Sequence, residues 1–123
     1  MGRITSSLAL AGFIVLLGGC APRVQVAMLG EVDEASRLAG PEDMALFSTR
    51  MPECPYREIA LVTAYAGEIL GDPDETLEAL KVRAWELGAD ALLGLRTVNS
   101  GGEDPEEGYS ATAVRFERDD CLR

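Results

Sequence analysis

The side chains able to do chemistry in this chain are three cysteines, Cys20, Cys54 and Cys121, and 21 carboxylates; histidine is absent. Without histidine the commonest general base is missing, and neither a Ser–His nor a Cys–His nucleophile pair can be assembled. The carboxylates gather where solvent is the default neighbour: Glu103, Asp104, Glu106 and Glu107 in a glycine-containing run, Asp119 and Asp120 in the C-terminal tail. Gly101-Gly102 leads into Glu103 and Asp104, whose charge repels the anion that a glycine-rich phosphate loop would hold. The expectation is therefore a protein that is not an enzyme and uses no cofactor. One metal chemistry stays open. Cys54 and Cys121 neighbour Glu53, Asp119 and Asp120, a mixed thiolate and carboxylate set. They lack the Cys-x-x-Cys or histidine spacing of a zinc site, and the acidic loop lacks the ligand periodicity of a calcium loop.

Cys20 has a different context. Arg3 supplies a short positive region, residues 8–17 an apolar run, and Gly18-Gly19 small residues immediately before the cysteine. This is the layout of a secretory signal, with an apolar core shorter than the roughly 20 residues of a spanning helix. The ending Leu17-Gly18-Gly19-Cys20 resembles the bacterial lipobox. That resemblance implies cleavage after residue 19, diacylglycerol on the Cys20 sulfur and acylation of its amine, which together anchor a domain stably to a membrane. Ala21, where an Asp resembles an inner-membrane retention signal, points to the outer membrane. The expected division is a signal peptide over 1–19, a lipidated cysteine and acidic tether over 20–42, and a folded domain over 43–123.

Removing residues 1–19 takes away one basic residue and no acidic one, which leaves ten Lys and Arg against 21 Asp and Glu, a net charge of −11. So acidic a chain is repelled by nucleic acid and by anionic lipid headgroups, which excludes DNA and RNA as expected ligands and favours proteins or cations as partners. With Cys20 committed to lipid, an exported chain keeps Cys54 and Cys121. An even remainder in an oxidising compartment reads as one disulfide, closing a loop from 54 to 121. The metal site and free thiols are the alternatives.

These residues need elements to position them. Val24 to Met28 has the composition of a short strand, while the acidic, Gly- and Pro-broken stretch up to Asp43 reads as a solvated linker. Strands are expected over 44–49, 57–66, 91–98 and 109–117. Asp72 as N-cap, Pro73 at the first helical position, Glu75 as in a capping box and Gly88 as terminator predict one helix over 73–87, with Leu77, Leu80, Ala84 and Leu87 on one face. The order β-β-α-β-β predicts an α+β domain, one small antiparallel or mixed sheet with a helix on one face. Strict alternation sets Ile59, Leu61, Thr63 and Tyr65 against Ala60, Val62 and Ala64. One helix covers one face only, so the other face is expected to meet the N-terminal strand, a second copy or another protein, or else its mostly small apolar residues simply face water.

The run Pro55-Tyr56-Arg57-Glu58-Ile59-Ala60-Leu61-Val62, the helix end Ala84-Trp85-Glu86-Leu87-Gly88-Ala89-Asp90-Ala91 and, loosely, the strand Ser110-Ala111-Thr112-Ala113-Val114 resemble the small bacterial domains grouped around YbjQ and the lipoprotein RcsF. The resemblance spans about 70 residues and implies a compact α+β domain. Some soluble members of that group are described as heavy-metal binders and form ring oligomers. RcsF-like lipoproteins sense envelope damage through contacts with membrane partners. They carry two disulfides and a long basic, proline-rich tether, whereas this chain has cysteines for one and an acidic lead-in. The functional expectation is a non-enzymatic outer-membrane lipoprotein, its domain in the periplasm, binding an envelope protein or itself in envelope maintenance or stress sensing. The alternatives are a metal-binding module built on Cys54, Cys121 and nearby carboxylates, or a self-associating domain.

Overall fold

The structure, a computed structural model, describes residues 22–32, 35–66 and 72–122. The expected signal peptide, Cys20 and most of the connection ahead of the helix lie outside the described residues.

The chain forms five strands and one helix: β1 (Arg23–Met28), β2 (Ala45–Phe47), β3 (Tyr56–Tyr65), α1 (Pro73–Glu86), β4 (Ala91–Asn99) and β5 (Glu107–Phe116), with short 3-10 turns at Pro41–Asp43 and Asp119–Leu122. The strands make one sheet in the order β1-β3-β5-β4-β2. All neighbours are antiparallel except β2, which runs parallel to β4. The sheet is therefore mixed and the architecture α+β, with β1 added at one edge of the expected β-β-α-β-β unit.

Local chemistry sets the ends of α1. Asp72 caps it by accepting the Asp74 amide at 2.9 Å, and Pro73 occupies a first-turn position where no amide hydrogen is needed. At the other end Gly88 adopts φ 88°, the Gly88 amide bonds the Trp85 carbonyl and the Ala89 amide bonds the Ala84 carbonyl. That pair of bonds is the Schellman arrangement, and it satisfies carbonyls a helix end otherwise leaves open. The inward stripe of Thr76, Leu80 and Ala84 is buried. It lies on Ala60, Val62 and Ala64 of β3, Ala111 and Ala113 of β5, and Leu92 of β4. The sheet side of this core is mostly alanine, which lets a helix approach closely.

Two irregularities reset the alternation of the strands. The β3–β5 register shifts between Glu58 and Ala60, so Ile59 and Ala60 both pack into the helix-side core, where strict alternation would separate them. The β4–β5 register shifts between Leu93 and Arg96, around Gly94 at φ 64°, and places Leu95 against the helix-side core while Leu93 faces the opposite way.

The far face is not the uncovered surface that one helix leaves on paper. At one end Ala91, Leu93, Val114 and Phe116 form a second buried cluster, covered by Phe47, Tyr56, Cys54 and Cys121. At the other end the face is polar or small, with Thr63 and Ser110 hydroxyls 3.1 Å apart and the Arg23 guanidinium over the Tyr65 ring at 5.1 Å. The chain covers the apolar cluster at one end of this face itself, and leaves Leu61, 37% exposed, among the polar and small residues of the rest.

Gly108, beside Tyr65 in the β3–β5 ladder, has no room for a side chain: a Cβ there would run into the Ala64 carbonyl oxygen and come within 2.9 Å of the Tyr65 Cα. Gly108→Ala is expected to lower the unfolding free energy by about 1–3 kcal/mol, as overpacking does. Chemical denaturation of the variant against the parent chain measures it, and an unchanged midpoint would contradict the packing described here.

Candidate functional site

Residues 35–38, expected within a tether, pack on the domain. The Ser36 hydroxyl donates to the Ala89 carbonyl at 2.7 Å, and the Trp85 indole N–H donates to the Leu38 carbonyl at 3.0 Å. Arg37 Nη1 donates to the Phe116 carbonyl at 2.9 Å, and its Nε pairs with Asp119 Oδ1 at 2.8 Å. Arg115, buried in β5, donates from Nη1 to the carbonyls of Ala35 and Gly88. The segment expected as a solvated linker thus crosses the end of α1 and ties it to the end of β5. Its acidic composition hides this, because the contacts use Ser36, Arg37 and backbone carbonyls.

Asp90 sits at the centre of this joint. Its side chain is wholly buried. Oδ2 accepts the Phe116 amide at 3.0 Å and lies 3.6 Å from Arg37 Nη1, while Oδ1 has no hydrogen-bond partner among the described residues. The backbone amide of Asp90 bonds the Val114 carbonyl at 2.8 Å, which fixes where β4 starts along β5. A carboxylate taken from water costs several kcal/mol unless it is paired and hydrogen-bonded. Here the cost is met on one oxygen only.

Beside this joint opens a cleft of about 490 Å³, lined by Leu38, Phe47, Met51, Phe116, Asp90 and the pair Cys54 and Cys121, among others. Its wall is the turn from β2 to β3, where Pro52 and Pro55 stiffen the chain. Met51 is 57% exposed, one of several large apolar side chains open to solvent. Asp43 and Glu53 add acidic groups to the lining and Arg50 a basic one.

Cys54 and Cys121 are at bonding distance, with Cα atoms 6.0 Å apart, so the structure brings together two residues 67 positions apart in sequence. A bonded pair offers no thiolate to a metal. Among the described residues no group of three Cys, Asp or Glu side chains is placed to hold an ion. Asp119 is engaged by Arg37, and Asp120 by Arg118 at 3.4 Å. Two of the three neighbours named for a mixed site are therefore held in ion pairs. The lipidation candidate, Cys20, is outside the described residues, and no described helix is long and apolar enough to cross a membrane.

Compared with family models, curated proteins and solved structures, the chain matches none. The site is thus read from its own geometry, a partly apolar cleft beside the cysteine pair. The sequence reading had the cysteine pair but missed Arg37, Asp90 and Arg115. A signal for two of them is present. Asp90 lies within the run Ala89 to Leu93 and Arg115 between Val114 and Phe116, charged residues in apolar surroundings that demand partners.

Two outcomes follow from this joint. Asp90→Ala leaves the Phe116 amide without an acceptor and is expected to cost about 1–3 kcal/mol, with Asp90→Asn costing less because an oxygen remains. Equal denaturation midpoints for the parent and the alanine variant would contradict this. Replacing Cys54 and Cys121 together by Ala is expected to destabilise by up to roughly 4 kcal/mol through the entropy of the released loop. Thermal unfolding with and without reductant gives the same comparison in the parent chain.

Proposed function

We propose that this chain is a lipid-anchored, non-enzymatic protein of the bacterial outer membrane, held through Cys20, whose domain faces the periplasm and binds a protein partner in envelope maintenance or stress sensing. The observation that carries the binding part is the cleft, a preformed hollow next to a disulfide, with exposed Met51 at its wall. Methionine at a surface suits recognition, since its unbranched, polarisable side chain adapts to an apolar partner. Aromatic Phe47 and Phe116 supply area, and a cross-linked wall keeps its shape without a ligand, which lowers the ordering cost of binding. The sequence supports the anchoring part through the lipobox-like residues 17–20, and the bonded cysteines fit an oxidising compartment. The likeness to YbjQ- and RcsF-type domains belongs to the same proposal.

The far sheet face, the other source of a protein-binding expectation, is covered by the chain itself at the Phe116 end and keeps Leu61 exposed beyond it. The metal-binding alternative is weakened by the paired sulfurs.

The test uses the full chain in intact cells, with a photo-crosslinking amino acid at Met51 and, separately, at Glu78 on the exposed side of α1. One recurring envelope protein captured from position 51 and not from 78 is expected. Cys20→Ser is expected to abolish acyl labelling and to release the chain from the membrane fraction. Equal capture from both positions would remove the cleft as the binding site. Retention of the acyl label in Cys20→Ser would remove the anchor.

A further inference from the structure

The carboxylate of Asp90 is only half satisfied. Oδ2 holds the Phe116 amide at 3.0 Å and faces Arg37 Nη1 at 3.6 Å. Oδ1, in a side chain that is wholly buried, has no hydrogen-bond partner among the described residues. Folded proteins leave few buried polar atoms unpaired, and one that persists calls for an explanation. Asp90 is also one of the residues that line the cleft of about 490 Å³, together with the Phe116 whose amide it holds. The unfilled oxygen therefore belongs to a residue that walls the hollow, and a ligand seated there supplies the missing donor.

Charge narrows the ligand. Asp43, Glu53 and Asp90 line the cleft against Arg50 alone. Adding Arg37 and Asp119, paired beside it at 2.8 Å, leaves four carboxylates against two guanidiniums. The formal net charge of −10 gives the same sign at longer range, so cations are drawn in and anions repelled. Among the described residues no three Cys, Asp or Glu side chains are placed around an ion, so the cation this wall fits is organic.

Shape narrows it further. Leu38, Phe47, Met51 and Phe116 give the cleft apolar sides, along which an unbranched methylene stem can lie while it carries a charged head. One oxygen is open. That suits an ammonium, a compact charge with three rotatable donors, better than a guanidinium, whose planar fork matches two acceptors at once. A hydroxyl or an amide would fill Oδ1 but leave the charge of Asp43 and Glu53 unanswered.

We infer that the cleft is a lysine-recognition site: a lysine side chain of the protein partner lays its stem against Phe47, Met51 and Phe116 and donates from Nζ to Asp90 Oδ1. Arg37 stays with Oδ2, so the two cations use different oxygens of one carboxylate. The new bond is charge-assisted, and its partly apolar surroundings strengthen it. The inference rests on the reading of the cleft as the site that binds a protein.

The test titrates Nα-acetyl-lysine N-methylamide into the full chain in detergent and follows the backbone amide resonances by NMR. Saturable shifts at Asp90 and Phe116 are expected, with the norleucine and arginine counterparts binding at least about tenfold more weakly. Asp90→Asn keeps an oxygen for the Phe116 amide and is expected to reduce the lysine probe to the norleucine level. Photo-capture of an envelope protein from position 51 is expected to fall in the same variant. Equal binding of the three probes, no saturable shift, or lysine binding that Asp90→Asn leaves unchanged overturns the lysine assignment. If capture from position 51 persists in any of those cases, the cleft stays a protein-binding site and only the lysine is lost. A lysine probe that binds while position 51 captures nothing overturns the protein partner and this inference with it, leaving a site for a free amine. Should Asp90→Asn fail to fold, Asp43→Asn combined with Glu53→Gln decides. The lysine probe must then weaken severalfold with norleucine unchanged, and an unweakened lysine probe overturns the inference.

Discussion

The buried carboxylate of Asp90 is the interaction on which the arrangement depends. It occupies the step between the helix terminus at Gly88 and the first residue of β4, where a chain reversal must be held in one position. By accepting the Phe116 amide and facing Arg37, it joins the end of α1, the end of β5 and the segment that follows β1. A hydrophobic residue at that point would pack, but it would offer nothing to the Phe116 amide and nothing to orient Arg37. The sheet side of the core offers α1 many small alanines beside Ile59, Val62 and Leu92. The polar joint holds the end of α1 on that bed.

Much of the secondary structure was legible because its signals are local. Asp72, Pro73 and Gly88 act on their own backbone neighbours, and the observed helix ends one residue before the expected limit. The strands fall within a few residues of their expected positions for the same reason: β-branched and aromatic residues between turn formers need no distant information. The faces were less legible. Strict alternation fails wherever a ladder carries an extra residue, and both shifts, after Glu58 and after Leu93, depend on how β5 lies between its neighbours. Nothing in the residue types at Ile59 or Leu95 reveals that.

The site was legible only at the cysteines, where pairing follows from count and compartment. The cleft is made where the turn before β3, the 3-10 turn after β5 and Leu38 converge, three stretches far apart in sequence. The role of residues 35–38 was hidden by composition. Ser36 and Arg37 look like solvent-facing residues in an acidic run, and what distinguishes them is the set of backbone carbonyls at Ala89 and Phe116 that reach them. Arg115 shows the converse, a charge inside an apolar strand whose acceptors include the main-chain oxygens of Ala35 and Gly88, with no sequence signature of their own.

The position of β5 between β3 and β4 has a kinetic consequence. It follows the other four strands in sequence, yet it holds the centre of the sheet, and its pairing joins Tyr56 to Phe116. Contacts of such separation form late, because the intervening chain must close a long loop before any pairing is gained. Until residues 107–116 are in place, β3 and β4 have no common neighbour and α1 has only part of its bed. A nascent chain of this kind stays threadable until almost all of it has been delivered. Completion of the sheet therefore waits on β5.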